Sequence, residues 1–170
     1  MEDYGGELMT LTKSQAAERV RDGRSVETFH HATMGVFNVT ACRQIIKRMP
    51  HIFKPHHVRF ADIKAEGLPD LDSAGVVAWL VGQREVDQAR CAELTSAQLE
   101  DPLISMMDEA GMSYVIDGIH RLSERFRRGK TGYRFYAMPV QIIPKLAPGT
   151  YLERPWGEMD VRDGQLVKRK

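Results

Sequence analysis

The sequence predicts an α/β (α+β) protein, a mixed sheet with flanking helices, on three observations. An apolar run ends in Asp117-Gly118 and passes straight into a helical pattern, short alternating runs are bounded by glycine or proline, and amphipathic stretches lie between them. Tyr114, Val115 and Ile116 need a strand to bury them, and Gly118 permits a backbone conformation that L-residues avoid. Ile119, Leu122 and Phe126 then recur at i, i+3 and i+7, the period of a helix with one buried face.

Taken in order, Thr12-Lys13-Ser14-Gln15 matches a capping box, and Ala16, Ala17 and Val20 predict a short helix that Asp22-Gly23 stops. Ser25 to His31 reads as a strand and Gly35 to Val39 as a second extended piece. Thr40 then opens a helix with an Ile45, Ile46, Met49 stripe that Pro50 ends. Val58 to Ile63 alternates as a half-buried strand feeding a loop over Glu66 to Asp70. A helix from Asp72 or Ser73 carries Val76, Val77, Trp79 and Leu80, and a second helical stretch runs from about Glu85 to Leu94. Leu103 to Met107 and Met112 to Ile116 form a hairpin around Asp108-Glu109-Ala110-Gly111, and Arg134 to Val140 is the closing strand. After Ile143 the pattern weakens among Pro144, Pro148, Gly149, Pro155 and Gly157. The organisation expected is therefore an arm helix over 1–24, one domain over 25–143, and a tail over 144–170 that packs on the domain through Tyr151 and Trp156.

A chain of 170 residues with 42% apolar and 28% charged residues suits one folded domain with a sizeable core, not a disordered chain. No apolar run approaches the roughly 20 residues that span a bilayer, and the N-terminus lacks the order of a signal peptide, so no membrane partner and a cytoplasmic location are expected. Cys42 and Cys91 fall in helical stretches without metal-ligand spacing and read as buried free thiols. A net charge of +1 argues against a surface built wholly for nucleic acid. The charge is nonetheless uneven, because Arg121, Arg125, Arg127, Arg128, Lys130 and Arg134 face only Glu124 within their stretch. Cations near a helix C-terminus account for the last of these, whereas Arg121 and Arg125, one turn apart, suit two neighbouring anionic groups.

His120 and Arg121 fall in the first turn of the predicted helix. There the free N–H groups and the positive end of the dipole favour a phosphate or carboxylate, and an arginine fork adds paired donors. Asp117, just before the turn, is a candidate for holding a metal, orienting a hydroxyl or capping the helix.

These residues also carry a family resemblance. Pro102-Leu103-Ile104, the turn at Asp108 to Gly111, the run Tyr114-Val115-Ile116-Asp117-Gly118-Ile119-His120-Arg121-Leu122 and the later Gly129 resemble the C-terminal half of the ParB/sulfiredoxin superfamily over about forty residues, Asp101 to Val140. The resemblance implies a small α/β domain holding a nucleotide phosphate at the turn. Sulfiredoxin has a catalytic Cys where this chain has Ile119, which sets thiol chemistry aside. Partition ParB proteins more often carry Gly-Glu-Arg-Arg there, while His120-Arg121 is closer to the form of sulfiredoxin and of a kinase acting on free serine. The expected activity is thus a nucleotide-dependent phosphotransferase acting on a hydroxyl of a small metabolite or, as a weaker variant, of a nucleic-acid base. The alternatives are a non-catalytic ParB-like module that binds nucleotide or DNA, and a ParB-like nuclease; no helix-turn-helix follows and no carboxylate cluster for two metals stands out.

The expected cofactors are ATP or another nucleoside di- or triphosphate with Mg²⁺. Asp117 and His120 are the catalytic candidates; Gly118, Ile119, His120, Arg121 and Arg125 are the nucleotide-binding candidates. A second acid would come from Asp62, Glu66, Glu100 or Asp101. No P-loop or Gly-x-Ser-x-Gly motif is present, and the adjacent pairs His30-His31 and His56-His57, with His51 nearby, read as surface residues because neighbours on a strand face opposite ways.

Overall fold

In a computed structural model of the chain, residues 26–63, 72–81, 86–154 and 157–169 are described; the arm helix expected at Thr12 and the loop expected at Glu66 lie outside them. The chain divides into two compact units, one of Pro50–Gln141 and one of Met1–Met49 with Ile142–Lys170. The division falls at different places from those expected, and residues beyond Ile143 share a unit with the N-terminal segment.

In that second unit, β1 (Thr28–His31) and β2 (Gly35–Asn38) form an antiparallel hairpin, followed by α1 (Val39–Arg48). Asn38, not Thr40, caps α1, its Oδ1 accepting from the Ala41 N–H at 3.0 Å, as a short amide side chain does at a helix start. Thr40 instead accepts the Glu27 N–H through Oγ1 at 2.8 Å. Three strands follow, β7 (Tyr151–Arg154), β8 (Gly157–Arg162) and β9 (Gln165–Lys168), paired antiparallel in that order. The expected tail is thereby corrected: Leu146, Tyr151, Leu152 and Val161 join Val26 and Val36 in a core of this unit's own. Strands of four to six residues between prolines and glycines are too short for alternation to stand out.

The Pro50–Gln141 unit holds the other elements. These are β3 (His56–Arg59), α2 (Ser73–Val81), α3 (Gln88–Ala92), α4 (Ser96–Glu100), β4 (Leu103–Met107), β5 (Ser113–Asp117), α5 (Ile119–Arg127) and β6 (Gly132–Pro139). Its sheet has the order β3-β6-β4-β5; β4 and β5 are the expected hairpin, β6 runs parallel to β4, and β3 is antiparallel to β6. This is the mixed α/β sheet that the sequence predicts. The hairpin turn is fixed by Asp108, whose Oδ1 accepts from the Ala110 and Met112 N–H groups, with Gly111 at φ +81°. Strand β3 begins before Val58 and ends at Arg59, because the chain then tucks Phe60 into the core through a 3-10 turn over Phe60–Asp62. At Gly132 a Cβ would run into the Val58 carbonyl, so only glycine lets β6 close against β3.

Helix α5 is held by apolar contact and by charge. Leu122 is 0% exposed and packs with Phe60, Val76, Val77, Leu103, Val115 and Tyr133, while Phe126 meets Phe60 edge-to-face at 5.7 Å. Burying a leucine fully is worth about 1.5–3 kcal/mol. Beside it Glu124 is also fully buried, gripped by Arg127 through two bonds of 2.6 Å and by Arg128 through a third of 2.6 Å. The Arg127 fork pulls its carboxyl down to about 2 against the opposing effect of burial, and Arg128 adds to the pull. A depressed carboxylate stabilises the fold above its unfolded value near 4.5 and loses that contribution as the pH falls towards 2. Glu124→Gln should therefore melt lower than wild type at pH 7, and the gap should close between about pH 4.5 and 2; thermal melts across that range check it.

Candidate functional site

Gly118 stands between β5 and α5 at φ +92°, ψ 20°, a left-handed conformation that glycine adopts without penalty. A Cβ there would run into the Leu103 side chain and come within 2.8 Å of Arg121 Nη2, so the turn also requires the absence of a side chain. Gly118 is the N-cap of α5 and has no side chain to cap it; the N–H groups of Ile119, His120 and Arg121 find no acceptor among the described residues. Uncapped N–H groups at the positive end of a nine-residue helix attract an anion.

Arg121 lies over this turn, its side chain 19% exposed, and is held loosely. Its Nη2 donates to the Pro102 carbonyl and to Asp117 Oδ2, each at 3.3 Å, and its Nε is buried with no partner. A buried donor left without an acceptor is costly unless something arrives to meet it. Asp117 closes β5 with its side chain 10% exposed and is the counter-ion of Arg121.

His120 is half-buried in the first turn of α5, with α3 packed against it; the Cys91 thiol donates to the His120 carbonyl at 3.6 Å. Burial pushes the imidazole below its ordinary range and the charge of Arg90 pushes further, with Asp87 pulling the other way. His120 is thus neutral at pH 7, able to give or accept one hydrogen bond but not to act as a fixed cation. Asp87 caps α3, its Oδ1 accepting from the Ala89 and Arg90 N–H groups. Sequence reasoning gave α3 no place here, since Asp87 and Arg90 reach His120 only through the packing of two helices distant in sequence. Cys42 and Cys91 are buried free thiols, and burial raises the Cys91 thiol, which makes a nucleophilic role for it unfavourable.

Arg125 requires a correction. Expected to extend the anion site, it is buried instead and bonds inward, from Nε to the Gly132 carbonyl at 2.9 Å, from Nη1 to the Leu99 carbonyl at 2.7 Å, and to Glu100 at 3.1 Å. Arg128 and Arg134 likewise donate to the Leu94 and Glu100 carbonyls. Much of the basic stretch after Arg121 thus fastens residues 94–100 to the unit. A carbonyl at a helix C-terminus favours a cation, which explains the arrangement.

The candidate acids separate as well. Glu100 is lowered by its hydrogen bond to Arg125, Asp62 is forked by Arg59 at 2.7 and 2.8 Å, Asp101 follows α4 in the exposed stretch before β4, and Glu66 lies outside the described residues. Among the described residues no group of three His, Cys, Asp or Glu side chains is placed to hold a metal ion, and no helix is long and apolar enough to cross a membrane. His30, His51, His56 and His57 are exposed, His31 is half-buried, and the His56 ring rests on Phe135.

The geometry defines a class, a mixed α/β unit with an uncapped, glycine-entered helix start under a loosely held arginine. Compared with known protein families, curated proteins and solved structures, the chain matches none. Arg125→Ala should cost about 2–4 kcal/mol, the scale of leaving buried carbonyls without their charged donor, whereas Arg121→Ala should leave the melting temperature close to wild type. Denaturant titration of both variants separates the clamp from the site residue.

Proposed function

We propose that the Pro50–Gln141 unit is a ParB/sulfiredoxin-like phosphotransferase, which binds a nucleoside di- or triphosphate at Gly118 to Arg121 and passes a phosphoryl group to the hydroxyl of a small metabolite. A hydroxyl on a nucleic-acid base is the less favoured acceptor. The observation that carries the reading is the buried, unpartnered Nε of Arg121 above three uncapped N–H groups. Those donors suit phosphate oxygens.

In this reading the Ile119, His120 and Arg121 N–H groups bind and orient the phosphates. Arg121 turns its free donors to them while Asp117 holds its other end. His120, neutral at pH 7, moves or holds a proton at its ring. Asp117 is the acid best placed to orient the acceptor hydroxyl. Mg²⁺ in such sites is carried by one or two carboxylates and the phosphates together, so a single acid at the turn fits an ion that arrives with its nucleotide; the ion would neutralise phosphate charge.

One observation favours a second reading, a non-catalytic binding module. Asp117 is already the partner of Arg121, and a passive site needs no more of it than that. Turnover separates the two. Incubation with nucleotide, Mg²⁺ and a set of hydroxyl compounds, followed by mass spectrometry, should show transfer by wild type. Asp117→Asn and His120→Ala should bind nucleotide yet lose at least about 100-fold in turnover. Variants that turn over at the wild-type rate would remove both residues from the chemistry, and binding without turnover in wild type would favour the module.

A further inference from the structure

A chain of phosphates at the Gly118 turn calls for a second cation beside Arg121, and α5 does not supply it. Arg125, one turn onward, is spent on the Gly132 and Leu99 carbonyls and on Glu100. The next cation comes from another helix. Helix α3 packs on the first turn of α5 through Cys91, which is 1% exposed and donates its thiol to the His120 carbonyl at 3.6 Å. Arg90 adjoins Cys91, so its Cα stands about 3.8 Å from that of the residue in contact.

Arg90 is exposed, and its side chain enters no ion pair among the described residues. In this it differs from Arg59, Arg125, Arg127 and Arg128, each of which holds a carboxylate. Asp87, one turn back, gives its Oδ1 to the Ala89 and Arg90 backbone N–H groups as the cap of α3. The charge of Arg90 is felt at the His120 ring and at the Cys91 thiol, and it lowers both. Charges near the surface are screened beyond about 8–10 Å, so the guanidinium lies close to the first turn of α5. His120, neutral at pH 7, sets no positive charge against it and can give one hydrogen bond to an oxygen.

We propose that Arg90 is the second cation of the Gly118 site, which therefore takes a chain of phosphates in preference to a single one. One phosphate lies on Arg121 and the Ile119 to Arg121 N–H groups, and a following one on Arg90. The assignment rests on the reading of the turn as a phosphate site and adds the residue that sets its preference.

Calorimetric titration with inorganic phosphate and with tripolyphosphate at moderate salt tests it. Wild type should bind tripolyphosphate at least about 10-fold more tightly than phosphate, and Arg90→Ala should weaken tripolyphosphate at least about 5-fold while leaving phosphate within about 2-fold. Arg90→Lys, which keeps the charge, should recover part of the loss. Lys130→Ala, which removes a cation of the same unit beyond the far end of α5, should leave both affinities unchanged. Tripolyphosphate bound at wild-type affinity by Arg90→Ala, an equal loss for both anions, or an equal loss in Lys130→Ala would overturn the role of Arg90 and leave the turn itself standing. Binding of neither anion by wild type, or full tripolyphosphate affinity in Arg121→Ala, would overturn the phosphate site and this assignment with it.

Discussion

Everything in the Pro50–Gln141 unit depends on how α5 buries two charged side chains in succession. Glu124 and Arg125 point into the protein beside Leu122, where an unpaired charge would be prohibitively costly. Each is satisfied differently. Glu124 is neutralised on its own helix by Arg127 and Arg128, one turn onward. Arg125 reaches across to Leu99, Glu100 and Gly132, and so ties α5 to α4 and to the start of β6. With the C-terminal half of the helix fixed in this way, its N-terminal end and the Gly118 turn are held against β4 and β5.

The contrast along one helix is what singles out the candidate site. Arg125, Arg127 and Arg128 make bonds of 2.6 to 3.1 Å, whereas Arg121 makes two contacts of 3.3 Å and leaves Nε without a partner. A helix that satisfies its buried charges with short bonds elsewhere is under-satisfied at one place, and there its first three N–H groups also find no acceptor among the described residues. Burial keeps His120 neutral, so the positive character of the turn comes from the backbone and Arg121 rather than from the imidazole.

The legible parts of this sequence were those set by local rules. The hairpin over Leu103 to Asp117, the glycine turn and α5 follow from alternation, a positive-φ glycine and a helical period, all read within a few residues. The position of Gly118 at the turn, and of His120 and Arg121 in the first turn of the helix, is legible for the same reason. Arg125 was not, because its partners are carbonyls of residues 99 and 132, and a sequence shows a cation but not the carbonyl it meets. Glu124 passed unnoticed for the opposite reason: an acid with arginines three and four residues on looks like a solvated surface pair, and only the packing of α5 shows it buried. The strands beyond Ile143 were hidden by their length, and their union with β1 and β2 is long-range, as in the Leu146 N–H bond to the Val36 carbonyl.

The anion site proposed at the start of α5 is built from Ile119, His120 and Arg121. Its most direct test is an amide NMR titration of the wild-type protein with pyrophosphate at moderate salt. An anion site there gives saturable shifts concentrated at the amides of residues 118 to 122 and at the Arg121 Nε–H, with the amide of Gly132 near the far end of α5 unmoved. Shifts spread over the exposed cations, or none at the Gly118 turn up to about 100 mM ligand, well past the roughly millimolar scale of a weak anion site, would contradict it.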